Sequence, residues 1–190
     1  AETGRASRRV RAALVWCRAN IASHGGDPER LYVGGHSAGG HLYALLTLRR
    51  DLLKRAGLPA GVIKGCFPVS SQLDLVFANP APGSGEARIY EMFLARAEDA
   101  ESVSPIHQAA GNTTPFVLAW GEKDFPRIVR ANEEMVRVLQ RQPGPVEQHV
   151  VAGYDHFDMA LDLARADNPV VKAFRRQMTG ASLVAAHKVG

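Results

Sequence analysis

One stretch of nine residues constrains this chain more than any other: Val33-Gly34-Gly35-His36-Ser37-Ala38-Gly39-Gly40-His41. It reads as a strand, a sharp turn and a helix. Leu31-Tyr32-Val33 is a short β-branched and aromatic run, and Leu42, Leu45 and Leu46 follow at the spacing of one helix face. Between them Gly35-His36-Ser37-Ala38-Gly39 has the G-x-S-x-G spacing, in which a serine sits on a turn so tight that its hydroxyl stands out above the sheet. Gly35 and Gly39 are expected to be glycine because side chains there would collide where strand and helix cross. A helix that starts directly after Ser37 aims the Ala38 N–H and its own positive end at whatever the serine attacks. Both would stabilise a developing oxyanion. The same residues also fit a glycine-rich turn with a capping serine, or a phosphate-binding loop. The rest of the chain has to decide.

Strand and helix signals alternate on both sides of this turn. Val10, Leu14, Cys17 and Ile21 mark one face of a helix over about residues 7–23; Gly25-Gly26 stop it and Asp27-Pro28 leads into the strand at 31–34. The helix after Ser37 is expected to run to Arg55, where Gly57-Leu58-Pro59 breaks the pattern. Further strands are expected at 62–69, 116–120 and 148–152. Ile128, Ala131, Met135, Val138 and Leu139 trace an amphipathic helix ahead of Pro143-Gly144-Pro145. A last helix begins near Phe157, pauses at Asn168-Pro169 and resumes through Val171, Phe174 and Met178. Residues 70–114 are weakly periodic, with a loop from Asn79 to Gly85 and a short helix marked by Ile89, Tyr90, Phe93 and Leu94. Such an insertion between strands commonly covers a pocket. Residues 1–180 read as one domain and 181–190 as a frayed tail. Alternating elements imply an α/β architecture, a mostly parallel sheet with helices on both faces, whose ligands sit beyond the carboxyl ends of the strands.

That rule says where partners of Ser37 must lie. After the strand at 116–120 comes Gly121-Glu122-Lys123-Asp124-Phe125-Pro126, and after the strand at 148–152 comes Gly153-Tyr154-Asp155-His156-Phe157-Asp158. His156 can take the Ser37 proton, and Asp124 can hold the imidazole tautomer and balance its positive charge. Glu122 and Asp74 are the other candidate acids, and Asp124 also fits a helix cap before Pro126. Six further histidines compete with His156: His36 and His41 flank the turn, His107 lies in the insertion and His149 inside a strand. Only His156 sits in a loop just past the last strand. Asp155 and Asp158 beside it read as helix-start residues.

Charge and cysteine content narrow the alternatives. A net charge of +4 comes from separated groups: Arg5, Arg8, Arg9 and Arg11; Arg49, Arg50, Lys54 and Arg55; and Arg175-Arg176. The last two groups fall where basic residues complement helix C-termini, so solvated helix faces are expected and no nucleic-acid surface. No apolar run approaches the roughly 20 residues that span a bilayer. Cys17 and Cys66 lack metal-ligand spacing, and two buried, reduced thiols point to a cytoplasmic setting.

Residues 33–41, 120–124 and 153–158, with Gly25-Gly26-Asp27-Pro28 ahead of them, resemble α/β-hydrolase esterases of the hormone-sensitive-lipase and kynurenine-formamidase type. The chain order Ser37, Asp124, His156 is the order of that fold. Gly-His-Ser-Ala-Gly-Gly-His and Gly-Tyr-Asp-His-Phe-Asp look closest to the formamidase-like arm, and the likeness covers most of residues 8–178. It implies hydrolysis of small esters or aryl formamides through an acyl-enzyme, without metal or organic cofactor. Trp120, Phe125, Phe67, Leu73 and Phe157 are expected to wall the substrate pocket; each also fits plain core.

The pattern departs from the family at one point. Such esterases carry a His-Gly-Gly oxyanion loop well upstream of the nucleophile, whereas 36 residues precede Ser37 here and His24-Gly25-Gly26 reads as a helix stop. The Ala38 N–H is therefore the one oxyanion donor assigned. The resemblance also implies about as many strands again ahead of the strand at 31–34, which would otherwise be a bare edge inviting association. The expectation is that an upstream segment or a second chain completes the sheet, with a homodimer as a further form. The rival reading is a non-catalytic subunit of the same fold, keeping the three groups but lacking half of the oxyanion site.

Overall fold

The computed structural model describes residues 5–76, 80–94 and 97–180; the tail at 181–190, Asn79 of the loop, and the side chains of Tyr90 and Phe93 lie outside what it describes. Four strands, β1 (Leu31–His36), β2 (Ile63–Val69), β3 (Phe116–Gly121) and β4 (Val146–Val151), form one sheet in the order β1-β2-β3-β4, every neighbouring pair parallel. Around them lie α1 (Arg5–Asn20), α2 (Ala38–Leu48), α3 (Arg50–Arg55), α4 (Gly85–Phe93), α5 (Ala100–Val103), α6 (Pro126–Leu139), α7 (His156–Asp162) and α8 (Pro169–Thr179). The expected α/β class with a parallel, doubly covered sheet is what is found.

β3 explains why the sheet is covered twice. All six of its residues are buried. Successive side chains point to opposite faces. Phe116, Leu118 and Trp120 join the main core with Leu14 of α1, Leu46 of α2, Leu53 of α3 and Met135 and Leu139 of α6. Val117 and Ala119 face the other way, onto Met159 of α7 and Val170 and Ala173 of α8. A strand polar on one face would leave one layer of helices without a partner. Each fully buried Leu, Val or Phe contributes about 1.5–3 kcal/mol.

Two elements and one cysteine differ from the sequence pattern. The helix expected from Ser37 to Arg55 is two, because the backbone leaves helical geometry at Arg49 (φ −82°, ψ 70°). The Arg49 guanidinium holds Asp51 across the break at 2.7 Å and 2.9 Å, and the turn drops Leu52 and Leu53 into the core. In β2, Lys64 is an extra, exposed residue: Leu31 pairs with Ile63 but Tyr32 with Gly65. Cys66 is fully buried as expected, whereas Cys17 is half-exposed; both are free thiols.

β1 and β4 are the sheet edges. Along β1, Leu31, Tyr32 and Val33 border a groove of about 210 Å³ shared with Leu14 and Cys17 of α1 and Tyr43 of α2. α1 ends as the sequence indicates: a 3-10 turn at Ile21–His24 closes on Gly25, whose left-handed backbone (φ 79°) lets its N–H reach the Ala22 and Ile21 carbonyls. His24-Gly25-Gly26 is thus a helix stop. Among the described residues no helix is long and apolar enough to cross a membrane.

Candidate active site

The carboxyl ends of β1, β2 and β3 each continue the ladder by one hydrogen bond. Ser37 N–H donates to Val69 O and Ser70 N–H to Ala119 O, both at 2.8 Å, and Glu122 N–H to Val151 O at 2.9 Å. The chain turns sharply beyond each of these points, so the loops collect on one side.

At the end of β1 the turn is forced through a single residue. Ser37 has φ 54° and ψ −118°, a region costly for any side chain, at about 1–3 kcal/mol. Strand and helix pass so closely that a Cβ on Gly35 would come within 2.8 Å of the Gly39 carbonyl carbon. The expectation for Gly39 is corrected here: a Cβ on Gly39 meets nothing within 4 Å, while one on Gly40 would fall on Ser71 Oγ and lie 2.5 Å from Gly35 O. The second glycine is Gly40. Ser37 is half-exposed, and Ala38 behind it opens α2. As a first-turn residue its N–H has no acceptor within the helix and points out past Ser37.

The loop after β4 delivers His156. Asp155 caps α7, its carboxylate accepting from Phe157 N–H at 2.8 Å and Asp158 N–H at 2.9 Å, while Asp158 accepts from Asp155 N–H at 3.1 Å. This capping box satisfies helix-end donors and sets where the first helical residue, His156, points. Its Nε2 lies 3.1 Å from Ser37 Oγ and its Nδ1 2.9 Å from Asp124 Oδ1. A carboxylate accepts only, so Nδ1 carries the hydrogen and Nε2 is left to accept from the Ser37 hydroxyl.

Asp124 comes from the loop after β3 and is 5% exposed. Its Oδ1 also accepts from Phe125 N–H at 2.7 Å. It is not a helix cap: α6 starts at Pro126 behind Phe125 and has no side-chain cap. Burial pushes the carboxyl pKa up, but contacts to His156, Ser70 and the Phe125 N–H outweigh it and hold the group below the usual carboxylate range. Ser70 lies against the carboxylate without an aligned hydrogen bond, and Ser70 Oγ and Asp124 Oδ2 are both buried without another partner. The other candidate acids are occupied elsewhere. Glu122 accepts from Gly153 N–H at 2.8 Å, and Asp74 accepts from Val76 N–H at 2.9 Å and lies 3.7 Å from His107.

The remaining candidates sort by place. Phe125 (39% exposed) and Phe157 (65% exposed) flank the imidazole, their rings 5.1 Å and 5.6 Å from that of His156. Trp120 is 1% exposed and belongs to the main core, and Phe67 and Leu73 are buried too. His41 is buried against Gln72 O at 2.6 Å, and His149 pairs with Glu147 at 2.7 Å. His36 joins the site: its ring lies 4.5 Å from that of His156. Two participants, His36 and Ser70, carry no signal a pattern search would weigh. Among the described residues no group of three or more His, Cys, Asp or Glu side chains is placed to hold a metal ion.

Comparison with known proteins fits this geometry. The profile described as the alpha/beta hydrolase fold matches residues 4–159. The chain is 29% identical over 144 residues to Esterase LipQ of Mycobacterium tuberculosis, an alignment covering 71% of this chain and 34% of that protein. It is 54% identical over 46 residues to Esterase-5A of Drosophila pseudoobscura pseudoobscura, covering 24% of this chain and 8% of that protein. Among solved structures, a thermostable esterase from Pseudomonas putida superposes with TM-score 0.68 at 23% identity, covering 90% of this chain and 56% of that one. An arylesterase superposes with TM-score 0.71 at 19% identity, covering 92% and 59%. The chain thus spans about a third of the mycobacterial relative and somewhat over half of these structures. With the profile matched over most of its length and the same layered sheet, the chain belongs to the α/β-hydrolase-fold family.

Proposed function

We propose that this chain carries the catalytic groups of a serine hydrolase that cleaves a small carboxylic ester through an acyl-enzyme. The observation that carries the reading is the hydrogen-bonded series Asp124–His156–Ser37, 2.9 Å and 3.1 Å, from three separate loops at one end of the sheet. Ser37 Oγ attacks the ester carbonyl while His156 Nε2 takes its proton, and Asp124 balances the imidazolium. The Ala38 N–H and the start of α2 face the oxyanion. Collapse of the tetrahedral intermediate expels the alcohol, which receives the proton from His156. A water deprotonated by His156 then attacks the acyl-serine, and Ser37 regains its proton as the acid leaves. Phe125 and Phe157 form apolar walls for the acyl or alcohol group, with Trp120 as core behind them. The described part of the insertion after the Ser70 turn, residues 80–94 and 97–104, is the proposed cover of that pocket.

Aryl formamides are the second substrate class, supported by the Gly-His-Ser-Ala-Gly-Gly-His elbow. The competing reading, a non-catalytic subunit, is favoured by one feature: Ala38 is the single oxyanion donor assigned, and losing one donor costs a factor of about 10² to 10³ in rate. The open edge of β1 supports the proposal that an upstream segment or second chain pairs with the sheet there. Two free thiols favour a reducing, cytoplasmic setting.

A fluorophosphonate probe tests the reading. Covalent labelling of Ser37, located by peptide mass spectrometry and lost in His156→Ala, is the expected result. A folded chain that shows no labelling is the non-catalytic subunit. Turnover of short-chain nitrophenyl esters beside N-formylkynurenine then separates esters from formamides.

A further inference from the structure

We propose that His36, the residue between glycine and serine in the elbow, is a positioning residue that ties the loop bearing His156 to the end of β1; the proposal rests on the hydrolase reading above. His36 is the last residue of β1, one position before Ser37. Its Nε2 lies 2.8 Å from the backbone oxygen of His156. A carbonyl only accepts, so Nε2 carries the hydrogen and donates. Ser37 and His156 stand 119 residues apart in the chain, and among the described residues two hydrogen bonds join the end of β1 to His156: the His156–Ser37 contact itself and this one. The first is the contact that must make and break a proton bond during turnover. The second keeps both ends in place while it does so.

Other restraints on His156 do not replace this bond. The capping box fixes the residues around His156 relative to α7, and Asp124 fixes the far side of the ring. Neither reaches β1. Without the His36 bond, the first turn of α7 can pivot about the Asp124 contact and the buried Met159, carrying Nε2 away from Ser37 while the capping box and the Asp124 bond survive. His36 is suited to the task in its charge as well. Its ring is 4.5 Å from that of His156 and tilted by 50°, so a cation there would oppose the imidazolium that forms on His156. Burial, reinforced by neighbouring His156, holds its pKa below the ordinary histidine value and favours the neutral donor. The alternative is that a half-buried polar side chain has merely found the nearest carbonyl. On that account the bond contributes to stability alone.

Three substitutions separate the two accounts. Ala at 36 removes the donor; Asn carries an amide N–H too short to reach; Gln carries one at about the reach of His Nε2. Positioning predicts that His36→Ala and His36→Asn lose about ten- to hundredfold in kcat at nearly unchanged KM, since displacing a catalytic group by about 1 Å has consequences of that size. His36→Gln is expected to recover most of the loss. The same order, Gln above Asn and Ala, is expected in fluorophosphonate labelling rate at Ser37, with Tm values close to wild type. Wild-type kcat in His36→Ala, or equal losses in Gln and Ala variants, overturns the proposal. So does a kcat loss that merely follows a fall in Tm. Failure of the hydrolase reading is seen separately, as a wild-type chain that neither turns over nor labels.

Discussion

Two serines in this molecule share a positive φ, and their surroundings could hardly differ more. Ser37 ends β1 with φ 54° and Ser70 ends β2 with φ 45°, the two non-glycine residues with positive φ among those described. Both donate their N–H to the next strand at 2.8 Å. Ser37 is half-exposed and its hydroxyl meets the imidazole; Ser70 is fully buried and its hydroxyl meets the carboxylate behind it. Strain of this kind persists only where neighbours hold it. Around Ser37 they are the close strand–helix crossing at Gly35 and Gly40. Around Ser70 they are polar clamps on the next two residues. Asn132 Nδ2 donates to Ser71 O at 2.8 Å and the buried His41 ring donates from Nδ1 to Gln72 O at 2.6 Å. One kind of turn thus presents a hydroxyl to the His156 imidazole, and its counterpart one strand over presents a hydroxyl to the Asp124 carboxylate.

Replacing each serine by glycine breaks the comparison cleanly, since glycine relieves the backbone at both turns. At Ser37 the largest effect is expected: Ser37→Gly folds at least as stably as wild type, yet kcat falls by about six orders of magnitude, as for loss of other triad nucleophiles. Residual turnover above a tenth of wild type would remove Ser37 from the role of nucleophile. Next comes the proposed acid, Asp124. Asp124→Asn is expected to lower kcat by about 10⁴ by holding the wrong imidazole tautomer, while Glu122→Gln, which disturbs a turn 2.8 Å from Gly153 N–H, changes little. Reversed effects would make Glu122 the acid.

The clamp on the Ser70 turn should show itself through pH. Burial lowers the His41 pKa from 6.5 to about 4. The unfolded chain therefore binds that proton first, and the stability from neutral His41 is present above pH 6.5 and lost as pH falls toward 4. Full loss is worth about 3 kcal/mol by the usual conversion of a pKa shift. Urea midpoints measured between those pH values should slope for wild type and flatten in His41→Gln; equal slopes would mean that other groups carry the acid sensitivity. The smallest effect is at Ser70 itself. Ser70→Gly loses only a hydroxyl that lies beside Asp124 without an aligned hydrogen bond, so a gain in Tm with at most about a tenfold fall in kcat is expected, below what a full hydrogen bond to a charged group is worth. Unchanged kcat would reduce Ser70 to a structural turn.

The same pair shows why one turn could be read in the sequence and the other could not. Gly34-Gly35 and Gly39-Gly40 bracket Ser37, and glycine is the residue that close approach demands, so strand, turn and helix were legible together. Ser70-Ser71-Gln72 has no glycine, because its strain is held by side chains from α2 and α6, distant in sequence. His156 and Asp124 were legible as loop residues past strand ends, and Asp155 and Asp158 as a helix start. His36 was seen only as a flanking residue, since its partner is a backbone oxygen 120 positions away. Motif spacing marks Gly39 together with Gly35, whereas Gly40 is the crowded one: spacing marks the glycines, and packing against Ser71 chooses between them. The break at Arg49 was hidden by a continuous apolar pattern, which tertiary packing of Leu52 and Leu53 overrides.

The parallel order β1-β2-β3-β4 has a consequence for how the protein folds. The three groups of the proposed triad hang from the ends of three strands, and Ser37 meets His156 across 119 residues of chain. Each parallel pairing requires a crossover, and contacts so distant in sequence form slowly because loop closure precedes any reward. Helices can report refolding within their own turns, but the serine–histidine contact exists only once β1-β2, β2-β3 and β3-β4 have all registered. On the proposed hydrolase reading, reactivity of Ser37 toward a covalent probe during refolding times the closing of the whole sheet, and any nascent or truncated chain that stops before β4 is expected to be chemically silent however much helix it holds.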